Sequence, residues 1–526
     1  MITRRTLLGT AAAAATAAPQ LIATTAAAHP APSHPGPAQP WPTTGHDSAR
    51  LHRWAKDTWT SLVAMTDEHA GLPADNIAAS LAAADRSRNT SPTNIGGYLW
   101  STVAARALKI ISPGECQRRV RQTLTTLLKM DHHQPSGMFY NWYDEQDGSV
   151  LTTWPGTDDL VYPFLSSVDN GWLGAALLVV REAVPSARHQ AAKLVDRMRW
   201  DMFYDPHASR PGGLIHGGFY DAPPPDGSDT VIGNHIGVGP DVWYTNHHYD
   251  TCVSETRITT YLGLVTRQIP ATNYYALWRT FPDTCDWSWP ESQPTGVTRT
   301  YAGIDVYEGT YDYRGLAIVP GWGGSMFEEL MPDLFVPEAV WAPRSWGRNH
   351  PRHIQAQREH GLVEAGYGYW GFSPSSDPAG GYREYGVDAL GLNPDGYFSD
   401  EEKTNYDAGF GGCRAGTNPH PSYGDGVVTP HASFLAMMHD PKNAIANLVK
   451  IEDELKAYGR GGFFDAVATR SGKIAKTYLS LDQSMVLGAL GNVAGNQVIR
   501  RSFSTRAVER AIRPVIGIEE FGMGLR

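Results

Sequence analysis

Residues 97–129 read GYLWSTVAARALKIISPGECQRRVRQTLTTLLK. Tyr98, Leu99, Val103, Leu108 and Ile111 fall on one face of a helix, and Val120, Leu124 and Leu127 repeat that spacing beyond Ser112-Pro113-Gly114. A Ser-Pro-Gly break between two periodic runs predicts a pair of antiparallel helices, 97–112 and 117–129. The same grammar recurs along the chain. Residues 50–66 carry Leu51, Trp54, Trp59, Leu62 and Met65 on one face. Residues 170–183 and 187–202 form a second pair divided at Pro185, followed by 253–267 and 272–279. Later helices are predicted at 322–332, 350–361, 430–438, 441–457 and 479–492, with strands few and short. No period of 20–50 residues repeats by identity, so a simple solenoid is not expected.

Between these helices lie four long stretches, 130–165, 203–250, 281–320 and 364–428, rich in Gly, Pro, Asp and aromatic residues. Connections of that length are uncommon in compact domains unless they build a site. The expected class is therefore all-α, with long loops gathered on one rim. No composition break divides residues 47–526, which are predicted to form one catalytic domain.

The first 28 residues have the composition of an export signal. Arg4-Arg5 precede a weakly apolar, Ala-rich run, and Ala26-Ala27-Ala28 offers a small-residue cleavage site, as a twin-arginine address requires. Residues 29–46 are a Pro-, Ala- and His-rich leader. The expected location is outside the cell, or the periplasm if an outer membrane exists, with no membrane anchor.

The chain has 526 residues, with 54 acidic against 44 basic side chains and a net charge of −10. That balance disfavours a nucleic-acid partner, which needs a basic footprint. Sixteen Trp and twenty-four Tyr favour a sugar partner, because such rings stack on the C–H faces of sugars. The four Cys (116, 252, 285, 413) lack zinc-ligand spacing. His132-His133 and His247-His248 are adjacent pairs that do not converge as an i, i+4 pair does. No metal and no cofactor are expected.

Four carboxylates stand in apolar, Gly-rich or aromatic surroundings: Asp169 in SSVDNGW, Glu255 in CVSETR, Glu328 in WGGSMFEELMP and Asp377 in WGFSPSSD. Each has an ordinary structural use to set against a catalytic one. Asp169 could cap a helix, Glu255 could pair with Arg257, and Asp377 could make an Asx-turn. In SMFEEL, one of Glu328 and Glu329 must be buried or in a cleft. Glycosidic cleavage needs two such groups, one held protonated by its setting and one ionised.

Several ordered pieces give this chain a resemblance to the glycoamylase-like family, which includes bacterial endo-β-1,2-glucanases and the cyclising domain of cyclic β-1,2-glucan synthases. They are Thr93–Gly96, Phe139–Asp144, Ser167–Gly171, Ser254–Arg257, Gly324–Glu328 with Leu330–Pro332, Trp370–Ser373, Tyr382–Gly386, Asp425–Pro430 and Leu481–Gln483. The resemblance implies an (α/α)6 toroid with a sugar cleft at one end, lined by Asp169, Glu255 and Glu328, with the catalytic acid among the two Glu. Trp142, Tyr143, Asp144, Arg257, Trp322, Trp370 and Tyr382 are the expected sugar contacts. Cyclic-glucan relatives have a Glu in a Gly-Ile-Ser-Glu-Ser stretch where this chain has Pro374, which points the acid role to Asp377 or Glu255 instead. The expected activity is hydrolysis of a β-linked glycan, nominally β-1,2-glucan. A polysaccharide lyase and a non-catalytic glycan-binding protein are the alternatives.

Overall fold

A computed structural model describes residues 45–157, 159–281, 292–392 and 407–524. The export signal and most of the leader lie outside these residues, and the first helix, Gly45–Met65, begins within the last two residues assigned to the leader.

The predicted helices are present, each shifted by a few residues. Four are buried on nearly every side: Pro92–Ala107, Ser167–Ala183, Arg257–Thr266 and Ser480–Val493. Their sequences explain this, because a helix apolar all round has no face to give to water. Two short helices, Met326–Leu330 and Pro430–Ala436, share that setting. These six pack in succession. Pro92–Ala107 lies between Ser167–Ala183 and Ser480–Val493, the first of which packs on Arg257–Thr266 and the second on Pro430–Ala436. Pro430–Ala436 packs on Met326–Leu330. Arg257 closes the circuit by donating to the carbonyl oxygens of Glu328, at 2.6 Å, and Glu329.

Glycines set the closeness of these contacts. A Cβ on Gly97 would lie 2.5 Å from Ser484 Oγ, and one on Gly171 would lie 2.4 Å from Thr259 Oγ1. Outside stand amphipathic helices. Pro113–Leu127 buries only Cys116, Val120, Thr123, Leu124 and Leu127, one stripe along its length, against Pro92–Ala107. Gly45–Met65, Arg188–Val195, Trp346–Glu359 and Pro441–Asp453 flank the inner helices in the same way. The core drawn from all of them runs from Leu51 to Met523.

Strands are more numerous than predicted. Most lie in the four long stretches as small antiparallel sheets, such as 164–166, 218–220, 242–245 and 230–233 in one four-stranded sheet, and 295–301, 304–313 and 316–318 in another, and the rest lie at 76–78 and between 458 and 479. Most strands are runs of two to five residues, too short to display an alternating pattern; 295–301 and 304–313, seven and ten residues long, are the exceptions. Helices Val498–Phe503 and Arg506–Ile516 also escaped the reading. Cys413 is disulfide-bonded, Cys116 and Cys252 are free and buried, and Cys285 lies outside the described residues. Among the described residues no helix is long and apolar enough to cross a membrane.

Under the inner helices lies a dry ionic cluster. Arg257 pairs with Glu338 through both carboxylate oxygens, at 2.7 and 3.0 Å. His350 Nδ1 sits 2.6 Å from Glu329 and its Nε2 3.4 Å from Glu338. Asp333 meets Arg500 and His439. Burial alone would discharge His350, but Glu329, Glu338 and Asp333 overcome it and raise this imidazole to about 9. Its folded pKa exceeds the ordinary 6.5, so its contribution is complete below that pH and is lost as pH rises through about 9. Thermal unfolding between these limits should show Tm falling steadily, and falling less in His350→Gln. A Tm that stays level over this window would refute the charged assignment.

Candidate active site

The N-terminal ends of the inner helices carry the polar residues, and hydrogen bonds bring them together. Ser91 caps Pro92–Ala107 and Ser166 caps Ser167–Ala183. Ser166, not Asp169, is therefore the cap, so the carboxylate of Asp169 is released from that duty. Asp169 is 7% exposed. Its Oδ1 accepts from Thr93 Oγ1 at 2.6 Å, and Oδ2 has no hydrogen-bond partner among the described residues. A buried carboxylate oxygen without a donor is costly unless something else is meant to reach it.

One turn along the same helix, Trp172 donates from Nε1 to Glu255 Oε2 at 3.0 Å. This bond ties Glu255 to the helix that carries Asp169, three residues before Trp172. Glu255 is half-buried, at the start of the turn that leads into Arg257–Thr266. The predicted local ion pair with Arg257 is absent, since Arg257 turns inward to Glu338.

Glu328 is built differently. Oε2 accepts from Gly323 N at 3.0 Å, Ser325 N at 3.2 Å and Ser325 Oγ at 3.0 Å, and Oε1 accepts from Trp322 N at 3.1 Å. Together with Ser325 it forms a capping box on Met326–Leu330. Burial pushes its carboxyl up to about 7, opposed by the bonds from Gly323 and Ser325. Both oxygens are engaged, which suits a group that holds the 321–325 segment in place. Of the Glu pair in SMFEEL, the fully buried one is Glu329, in the ionic cluster.

Asp377 does make the Asx-turn. Its Oδ1 accepts from Ala379 N at 2.7 Å and its Oδ2 from Arg383, within the hairpin of strands 375–376 and 382–383. Among the expected sugar contacts, Trp322 is half-buried against Trp278, Phe281, Tyr311 and Leu392, beside Glu328. Trp142 is half-buried edge-on to Trp154, and Tyr382 is exposed. Four others need correction. Arg257 and Tyr143 are 1% and 0% exposed, Arg257 spent in the ionic cluster and Tyr143 donating to Asp131 O at 2.7 Å. Trp370 is a core residue, and Asp144 pairs with Arg88 at 2.6 Å. A polar or aromatic letter within a shared motif does not distinguish a wall residue from a buttress.

Three residues went unassigned. Asp465 and Asp482 are buried together with His431, which lies 3.1 Å from Asp482 and begins Pro430–Ala436. Burial and the charge of Asp482 push Asp465 well above the carboxylate range, and burial pushes Asp482 up to about 7. Burial drives His431 down to about 4, which keeps it neutral. Asp75 links this group to the rest: it accepts from Asn94 Nδ2 at 2.8 Å through its side chain and from Ser480 N at 2.8 Å through its carbonyl. Asp482 stands in the motif Leu481–Gln483, but no local signal marks Asp465 in GGFFDAVA.

The chain is similar in sequence and fold to glycoamylase-like proteins. Residues 247–506 match the family described as "Putative glucoamylase", and residues 53–205 match a family of unknown function, DUF3131. The chain is 25% identical, over 88% of its length, to the cyclic β-(1,2)-glucan synthase NdvB of Rhizobium meliloti, and spans 18% of that protein. Its fold is similar to that of an endo-β-1,2-glucanase from Chitinophaga pinensis in complex with sophorotriose and glucose (TM-score 0.59, 14% identity, 89% of this chain and 98% of that one). It is also similar to that of an endo-β-1,2-glucanase mutant from Talaromyces funiculosus in complex with β-1,2-glucan (TM-score 0.58, 13% identity, 91% and 94%).

Proposed function

We propose that this protein is an exported glycoside hydrolase that cleaves a β-linked glucan, with β-1,2-glucan its first candidate, in the cleft of an (α/α)6 toroid. The observation that carries this reading is that Trp172 ties Glu255 to the helix presenting Asp169, whose Oδ2 has no hydrogen-bond partner among the described residues. Glycoside cleavage asks for two carboxyl groups on either side of one bond. Glu255, half-buried with an indole N–H on one oxygen, is the proton donor, and Asp169 is the opposing carboxylate. Glu328 positions the strip carrying Trp322, and Asp377 holds its hairpin. The β-glucan names of the similar proteins support the substrate class, and the Arg4-Arg5 leader supports export by the twin-arginine route.

The deciding experiment incubates the protein with β-1,2-glucan, arabinan and starch and follows new reducing ends and products by chromatography. Hydrolysis of β-1,2-glucan is the expected result. A product with an unsaturated-sugar absorbance would make the protein a lyase, and binding without any product would make it a glycan-binding protein. Either outcome overturns the proposal.

Trp322→Ala should raise KM by roughly 3- to 10-fold, the worth of one stacked ring, with kcat little changed. Steady-state kinetics on the best glucan checks this, and an unchanged KM would remove Trp322 from the sugar's path.

A further inference from the structure

The excursion over residues 203–250 builds a second group of converging side chains, apart from the carboxylates of the cleft. Strands 204–205, 214–216 and 248–249 form one antiparallel sheet with 214–216 in the middle. His216 stands directly opposite His248, and Ile215 opposite Tyr204, which puts Asp205 on the neighbouring strand one step along. Adjacent strand residues point to opposite faces, so His248 reaches this group while His247 packs over Gly217.

The donor atoms are close. His248 Nε2 lies 3.2 Å from Asp205 Oδ2, and His216 Nε2 lies 4.0 Å from the same oxygen. His235, on the loop after strand 230–233, brings its Nε2 within 3.1 Å of His216 Nε2. A tetrahedral zinc ion with bonds of about 2.0–2.2 Å holds its donor atoms roughly 3.3–3.5 Å apart.

The surroundings orient these donors. His216 is 3% exposed, and its Nδ1 lies 2.7 Å from the carbonyl oxygen of Thr245. A carbonyl only accepts, so Nδ1 carries the hydrogen and Nε2 turns a lone pair toward the centre. Metal-bound imidazoles are fixed in this manner. Asp205 Oδ1 accepts from His207 N at 2.8 Å, which leaves Oδ2 for the centre. The ion-pair partners of Asp205 among the described residues are both histidines. Two imidazole nitrogens and one carboxylate oxygen suit a borderline ion and not calcium or magnesium, which take oxygen.

We infer that Asp205, His216 and His248 bind a divalent transition-metal ion, zinc by its ligand set, with His235 beside His216. This goes beyond the proposed hydrolase and departs from the expectation of a metal-free chain. The ion's role is structural. The carbonyl of His216 accepts from Ser167 Oγ at 2.8 Å, two residues before Asp169, and strand 218–220 pairs with 164–166. Holding the sheet together thus fastens the long excursion to the helix that presents Asp169.

The test uses the mature chain without a histidine tag. After zinc loading and dialysis, elemental analysis should find about one equivalent per chain, and cobalt substitution should give the visible bands of a tetrahedral site. His216→Asn combined with His248→Asn should abolish both. His248→Gln, a single change at a partly exposed strand residue, should weaken zinc affinity by roughly 10-fold or more while circular dichroism stays native. A loaded native chain that retains almost no zinc would overturn the site in favour of a hydrogen-bonded histidine cluster. So would a folded His248→Gln chain that holds zinc as tightly as the native one. Neither result depends on glycan cleavage, so this site and the hydrolase reading fail separately.

Discussion

Glu255→Gln should lower kcat on the best glucan substrate by roughly 10²- to 10⁴-fold, the usual contribution of a positioned acid–base group. Gln keeps the size of Glu and its carbonyl oxygen can still accept from Trp172 Nε1, so the fold and the indole contact survive. The loss is confined to proton transfer. The pattern to look for is a fall in kcat with KM nearly constant and an unchanged Tm. Glu328→Gln makes the informative comparison. Its two oxygens take four donors, and an amide nitrogen there would face a backbone N–H. That variant should lose stability as well as activity. Full activity in Glu255→Gln would end its assignment as the proton donor.

Glu338→Gln should destabilise the protein by about 3–5 kcal/mol, the cost of stranding one member of a buried ion pair. Arg257 is wholly enclosed, and Glu338 is the carboxylate that takes its Nε and Nη2 hydrogens. Tyr261 donates to the same carboxylate at 2.5 Å, and the guanidinium lies over Trp346 with 4.4 Å to the ring centroid. Equilibrium denaturation measures the loss. The double change Arg257→Met with Glu338→Leu should cost less than the single one, because no charge is left without a partner. A single variant within about 1 kcal/mol of native would show that the cluster admits water or relaxes.

Helices were the legible part of this fold. Apolar letters at three- and four-residue spacing, with Ser112-Pro113-Gly114 and Pro185 as punctuation, located the helix pairs to within a few residues. Sheets were not, because Tyr204–Asp205 and His248–Tyr249 become strands only by pairing with Leu214–His216, a contact no local window contains. The site divided along the same line. Asp169 and Glu255 were visible as acids in apolar settings. The depth of Arg257 was invisible, because its partner Glu338 lies 81 residues away. Asp465 was missed for the same reason: its character comes from Asp482 and His431, which the chain brings in from either side.

The four longer inner helices present their N-termini where Asp75, Asp169, Glu255 and Asp482 collect. Peptide dipoles aligned along a helix leave about half a unit of positive charge at that end. Four such ends sum to about two units, set against the carboxylates gathered among them. The charge of these carboxylates is thereby partly offset by the helix ends on which they sit. An amide variant at Asp169 would tip that balance and give small anions a seat the native floor denies them.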